Sequence, residues 1–400
     1  MDNVTHSLVG VALADLSIGR TSKAHRSVFV GAGIIAANLP DIDLAYAAIT
    51  PSPLGYLLHH RGHTHTILGL AGLGGALFLA YWFFPAVRKM RLSGRLRFWL
   101  LIAVALASHL ALDALNSYGV HPFYPADNTW YFGDAVFILE PWLWLLLGIV
   151  AAWNGRSGTA RLTVAVPVLV LLAAAAWMGA IPFEVVGLLA VAGGICASAA
   201  YGLSPRARAV WGLAMCAVII GGFIGASRMA RRAAVDALHP VLRGPVADVI
   251  LTPNPASPLC WSVIVIERRE TAAEYVLWRG TLSLAPAWTP PTACASHRIA
   301  GAQDARILGE GRFALRDTRS QSLTRLRRLA VGDCWVRAWL RFGRAPVIEG
   351  GSIYDLRFAE RIGENFSRME LIPRRGCPSN VPNWGTPRTD LLGAAGVKAE

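Results

Sequence analysis

The sequence predicts a polytopic α-helical membrane domain of about seven to eight transmembrane helices, followed by a β-rich extracytoplasmic domain. Three observations predict it. Only 16% of the 400 residues are charged and 54% are hydrophobic, whereas soluble domains carry about 25% charged residues. Long apolar runs fill the chain up to about residue 226, and arginines crowd the rest. Past that point the runs become short, rich in β-branched and aromatic residues, and broken by Pro and Gly.

Read by length and apolarity, the candidate membrane segments are 5–19, 28–48, 65–84, 98–117, 137–153, 162–180, 183–201 and 208–226. The first is short enough to lie in the interface. The start, "MDNVTHSLVG", lacks the basic region of a signal peptide, so insertion is expected to rely on internal helices. Every second loop is basic. Arg20, Lys23 and Arg26 follow the first segment, and Arg88, Lys89, Arg91, Arg95 and Arg97 follow the third. Arg156 and Arg161 follow the fifth, and Arg206 and Arg208 the seventh. The alternate loops are nearly free of Lys and Arg. The positive-inside rule therefore puts the basic loops in the cytoplasm and, with eight crossings, both termini outside. A transmembrane helical domain over 1–228 and a soluble β-rich domain over 229–400 follow.

In the second domain, "WSVIVIE" (261–267), "EYVLWRGTLSL" (274–284), "CWVRAWLRF" (334–342) and "SIYDLRF" (352–358) read as strands, and the stretch 377–400 reads as a poorly ordered tail. Cys260, Cys294, Cys334 and Cys377 all fall there. An even number of cysteines outside the cytoplasm permits disulfides, and spacing leaves the pairing open. The net charge of +13 is not a nucleic-acid signal. Much of it sits in short loops beside apolar segments, and no basic patch interleaved with aromatics accompanies it.

Ionisable groups inside apolar segments are costly and usually functional, so the exceptions define a candidate site. They are His6; Asp41 and Asp43 in "NLPDID"; His59, His60, His63 and His65 in "HHRGHTHTILG"; His109 and Asp113 in "SHLALDALNSYG"; and Asp134 with Glu140 in "GDAVFILEP". His109 and Asp113 are i and i+4, hence on one helix face. Pro40 breaks the second segment beside the two aspartates. A topology set by Lys and Arg alone brings all five groups to the outer face. Imidazole and carboxylate together suit zinc, manganese or iron(II), and the number of ligands allows one ion or two. Each part has a structural alternative. His6 can cap at the interface, His59 and His63 can be loop residues, and Asp41 and Asp43 can cap a helix. His109 with Asp113 can staple helices, and Asp134 can serve a turn.

These motifs, in this order and spacing over roughly 1–150, resemble the YdjM-type membrane-bound metal-dependent hydrolases, linked in some bacteria to the LexA damage response. The family pattern His-Arg-Gly-any-Thr-His falls on His60, Arg61, Gly62, Thr64 and His65, leaving His63 in the free position. It continues on His6, Asp41, Asp43, His109, Asp113, Asn116, Tyr118 and Gly119. Where relatives carry Asp-Pro, this chain has Glu140-Pro141.

The resulting expectation is an inner-membrane, multi-pass hydrolase. His6, Asp41, Asp43, His60, His65, His109 and Asp113 would hold a divalent metal, zinc first. Arg61 would contact an anionic group and Glu140 would orient water or carry a proton. The expected partners are membrane lipids and a lipid or lipid-linked ester or phosphoester, with no nucleic acid. The alternatives are a metal transporter or sensor and a structural scaffold.

Overall fold

A computed structural model of the chain describes residues 1–18, 23–155, 157–177, 181, 183–294, 305–358 and 365–393. The helical part comprises α1 (Asn3–Ser17), α2 (Lys23–Asn38), the short α3 (Asp43–Tyr46) and α4 (Leu54–His59), α5 (Ile67–Trp82), the short α6 (Pro85–Arg88) and α7 (Leu92–Asp113). It continues through α8 (Pro141–Asn154), α9 (Gly158–Trp177), α10 (Phe183–Tyr201) and α11 (Pro205–Leu238). Among the described residues five helical spans are long and apolar enough to cross a membrane: 25–49, 92–113, 158–177, 184–201 and 205–238. A sixth forms if 54–65 and 67–82, bent by 69° at Thr66, count as one. The expected segments at 5–19 and 137–153 are α1, of 15 residues, and α8, of 14, below the ~20 residues of a straight crossing.

These two short helices nevertheless connect the two ends of the bundle. At one end Arg26 pairs with Asp15 at 2.8 Å, Asn154 donates to Asp15 at 2.9 Å, and Arg208 donates to Asn154 at 3.1 Å. Arg161, which donates to the Gly155 carbonyl at 3.2 Å, stands at that end too. At the other end lie His6 of α1 and Glu140, which caps α8. α1 and α2 touch backbone to backbone where Gly10 meets Gly33. A Cβ on either would fall 2.4 Å from the other's carbonyl oxygen, so only glycine fits.

The C-terminal part holds an antiparallel five-stranded sheet of β1 (Val246–Asn254), β2 (Ser257–Arg269), β3 (Glu274–Ser283), β4 (Arg306–Leu308) and β5 (Phe313–Ser322) in the order β1-β2-β3-β5-β4. A second sheet is built from β6 (Pro346–Glu349), β7 (Ser352–Asp355) and β8 (Met369–Glu370). Three helices accompany them: α12 (Leu323–Gly332), α13 (Cys334–Leu340) and α14 (Thr389–Leu392). Alternation on β2 explains the unbroken apolar run in "WSVIVIE". Trp261, Val263 and Val265 face the core shared with α11, while Ile264 and Ile266 face the core shared with α12 and α13.

Three expectations are corrected. "CWVRAWLRF" is not a strand but α13. Asp333 accepts hydrogen bonds from Trp335 and Val336 N–H as an N-cap, and Val336, Trp339 and Leu340 recur at helical spacing on one buried face. The tail packs through residue 393, with Trp384, Leu391 and Leu392 buried; residues 394–400 lie outside the described residues. The boundary expected at 228 falls inside α11, which runs on to Leu238 and carries Ala230, Ala234 and Leu238 into one core with Val249, Val263 and Phe313. Two disulfides close the C-terminal part, Cys260–Cys294 and Cys334–Cys377.

Candidate metal centre

Four segments deliver the site. Asp2 caps α1 by accepting from Val4 and Thr5 N–H at 2.9 and 3.0 Å, which fixes His6 in the first turn. Pro40 ends α2, and the 3₁₀ turn Leu39–Ile42 swings Asp41 and Asp43 inward. The loop after α4 reverses at Arg61, whose φ of 60° is left-handed, and returns through the turn His63–His65. The last turns of α7 supply His109 and Asp113.

Their polar atoms converge. His65 Nε2 lies 3.0 Å from His109 Nε2, 3.3 Å from Asp113 Oδ2 and 3.6 Å from Asp41 Oδ1. His109 Nε2 lies 3.5 Å from that Asp41 oxygen and 3.7 Å from that Asp113 oxygen. A tetrahedron with ~2.0–2.1 Å metal–ligand arms has edges of roughly 3.3–3.4 Å, so this set has the size of one coordination shell. His65, His109 and Asp113 are buried from solvent. Asp41, Asp43 and His60 form a second group that shares Asp41. His6 stacks on His109 at 3.8 Å, with Nε2 3.3 Å from Asp113 Oδ1 and neither ring nitrogen hydrogen-bonded.

The surrounding contacts fix which atoms face inward. His109 Nδ1 meets the Ala37 carbonyl at 2.7 Å; a carbonyl only accepts, so Nδ1 carries a proton and Nε2 is the nitrogen turned to the cluster. Asp43 Oδ2 lies 3.1 Å from His65 Nδ1 and accepts from Arg61 N–H and Thr64 Oγ1, each at 2.9 Å. One carboxylate thus holds the "HRGHTH" loop shut and orients its last histidine. Asn3 donates to Asp41 Oδ2 at 3.1 Å, leaving Oδ1 toward the two histidines. Arg61 Nε reaches Asp113 Oδ2 at 2.9 Å, and Nη1 donates to Asn116 Oδ1 at 2.8 Å. The Met1 amine also contacts Asp113. Donor types and edge lengths fit a divalent cation.

Of the residues read from the sequence, His6, Asp41, Asp43, His60, Arg61, His65, His109 and Asp113 come together. Arg61 Nε and Nη1 are spent on Asp113 and Asn116 and hold Asp113 in place. Glu140 stands elsewhere: its carboxylate accepts from Trp142 N–H at 3.3 Å and from Ala256 N–H, at the tip of the β1–β2 hairpin, at 3.4 Å. His59 meets Thr50 Oγ1 at 2.7 Å and His63 packs on Trp384. Asp134 is the anchor of Arg344 at 2.8 Å and Arg231 at 2.9 Å.

Sequence reasoning missed the lid over this loop. Trp384 packs on His63, His121 and Tyr124, and a Cβ at Gly62 would fall 2.9 Å from its ring. Asn380 brackets Thr50 and Ile49. Buried among Trp130 and Trp384, His121 has its pKa lowered to about 3, chiefly by desolvation. No short-range signal links residues 260 or more positions apart.

Residues 1–181 match the family model described as "YdjM inner membrane protein", the family the motifs resemble. The chain is also similar to an uncharacterized protein, YfhP, of Bacillus subtilis (strain 168), 24% identical over 160 residues. That stretch is 38% of this chain and 46% of the relative, so the chain spans about half the length of the curated protein it matches. No solved structure matches.

Proposed function

We propose that this chain, a YdjM-type inner membrane protein over its first 181 residues, is a membrane-bound metal-dependent hydrolase with its His/Asp site at the outer face. Its substrate on this reading is a lipid or lipid-linked ester or phosphoester. One observation carries it: two imidazole nitrogens and two carboxylate oxygens, presented by three separate segments, stand at the spacing of a single coordination shell.

Asp41, His65, His109 and Asp113 would hold the first ion, zinc by donor type, with manganese or iron as the other candidates. Asp43 and His60 with the shared Asp41 would hold a second. A divalent ion there supplies a Lewis acid for a carbonyl or phosphoryl oxygen and lowers the pKa of water toward neutrality. The chain's own residues do the rest. Ala37 O and Asp43 lock the two histidine tautomers, and Arg61 with Asn116 holds Asp113 in register. Packing of Tyr118 and Trp384 around the histidine loop keeps bulk water out.

The outward orientation and seven or eight crossings belong to this proposal. They are supported by the basic loops at the opposite end of the bundle and by two disulfides, which persist outside the cytoplasm. A metal transporter would need a polar path onward. Between the cluster and the basic end lie Phe29, Ala32, Phe98, Leu101, Ile102 and Ala105, all buried and apolar, which favours the enzyme. The test is a screen of lipid esters and phosphoesters on metal-loaded protein. Turnover that needs the metal and is lost in His109→Ala is expected; turnover surviving that change removes this site as the catalyst.

A further inference from the structure

A groove of about 600 Å³ runs beside the site between α5 and α7. Its walls include Ile67, Leu70, Gly74, Ala107, Ala111 and Phe123, and its exposed surface is almost wholly apolar. That volume lies within the ~300–1,000 Å³ of small-molecule pockets. α7 uses two faces over the same turns. His109 and Asp113 point into the metal centre, while Ala103, Ala107, Ala111 and Ala114 line the groove.

Three features identify the occupant. The groove lies between α7, of membrane-spanning length and apolarity, and α5, the longer half of the bent apolar pair 54–82, so hydrocarbon is what meets it. From Ala103 to Ala114 it extends ~16 Å along α7, the depth of one leaflet of a ~30 Å hydrocarbon core. It also stops at the level of the site. Pro122, Phe123 and Tyr131 close it there, with Ala114 next to Asp113 and Ile67 two residues from His65; Ile67 N–H donates to the Pro122 carbonyl at 2.8 Å. Elsewhere the lipid-facing surface of α9 and α10 presents exposed bulky residues such as Leu169, Val170, Leu188 and Ile195.

We propose that this groove seats one acyl chain of a lipid drawn from the leaflet nearest the site, which brings the lipid's polar linkage to the His/Asp cluster. The inference deepens the hydrolase reading and rests on it for the linkage, but not for the binding.

The test uses full-length protein in phosphatidylethanolamine–phosphatidylglycerol vesicles containing phosphatidylglycerol with a photoactivatable diazirine in one acyl chain. Labelling should concentrate on 67–74 and 103–114. Ala107 and Ala111 are exposed, so Ala107→Trp and Ala111→Trp fill the groove without crowding the core. Each should cut labelling about tenfold, a ~1.4 kcal/mol loss of binding, and Gly74→Leu, from the α5 wall, should act the same way. Leu169→Trp on α9 should change nothing. His109→Ala should keep the labelling, and a wild-type protein that labels in the groove but hydrolyses nothing upholds this inference and removes the hydrolase reading. Even labelling across α9 and α10, or labelling unchanged by both tryptophans, overturns the groove whatever the activity.

Discussion

His65 Nε2 and His109 Nε2 lie 3.0 Å apart, buried, with carboxylate oxygens of Asp41 and Asp113 around them. The Ala37 carbonyl at His109 Nδ1 holds a proton on that ring's far side. Two ring nitrogens turned toward each other among carboxylates are a group that could hold a metal ion.

Asp43 tests the support of the first ion's histidine, His65. Its carboxylate orients His65 and holds Arg61 N–H and Thr64. Asp43→Asn should weaken metal affinity by roughly 10–100-fold while leaving the Asp41, His65, His109 and Asp113 set in place. Competition with a chromophoric chelator reads this, and unchanged affinity would remove Asp43 from the orienting role.

Arg344 tests how the C-terminal part is fastened. It forks onto Asp134 at 2.8 Å and reaches Asp248 at 2.8 Å, nearly fully buried. Burial alone would lower its pKa, yet the two carboxylates raise it. Arg344→Met leaves Asp134 with Arg231 and Asp248 with Arg388, so it should cost less than the ~3–5 kcal/mol of an uncompensated buried charge, read as a fall in the thermal unfolding midpoint. Arg344→Lys keeps the charge but loses the fork, so it should fall between the two.

Asp355 sets an acid limb. Burial would raise its pKa, but the Arg357 charge and hydrogen bonds outweigh that and hold it below 3.8. A carboxylate depressed on folding contributes stability that is fully present above its unfolded value and is lost as pH falls through the folded one. Stability should therefore be flat above about pH 5 and drop below about pH 4. Asp355→Asn should lower the plateau and flatten the drop; an unaltered acid slope would contradict the assignment.

The disulfides give a topology test. Of six cysteines, only Cys196 and Cys216 are free. In unfolded, unreduced protein taken from cells, alkylation should modify two thiols, and all six after reduction. Six before reduction would place the C-terminal part in a reducing compartment.

Much of the site was legible because intramembrane charge is rare. Against an apolar background His6, Asp41, His65, His109 and Asp113 stood out singly, and loop charges put them at one end. Arg61 and Glu140 were harder. Which partner an arginine spends its fork on, and whether a buried acid faces a cavity or a hairpin amide, are decided by tertiary packing. The helix at 334–340 read as a strand because Trp and Val favour strands; the Asp333 cap decided otherwise. α1 and α8 stop at 15 and 14 residues because caps and turns, which hydropathy does not count, set where a helix ends.

The most direct measurement is the metal content of the purified protein alongside His65→Ala, His109→Ala and Asp113→Ala. The expected result is one or two divalent ions per wild-type chain, zinc foremost, and loss of the first ion in each variant that still folds. No bound metal in the wild type, or equal metal in all four proteins, would contradict the metal centre.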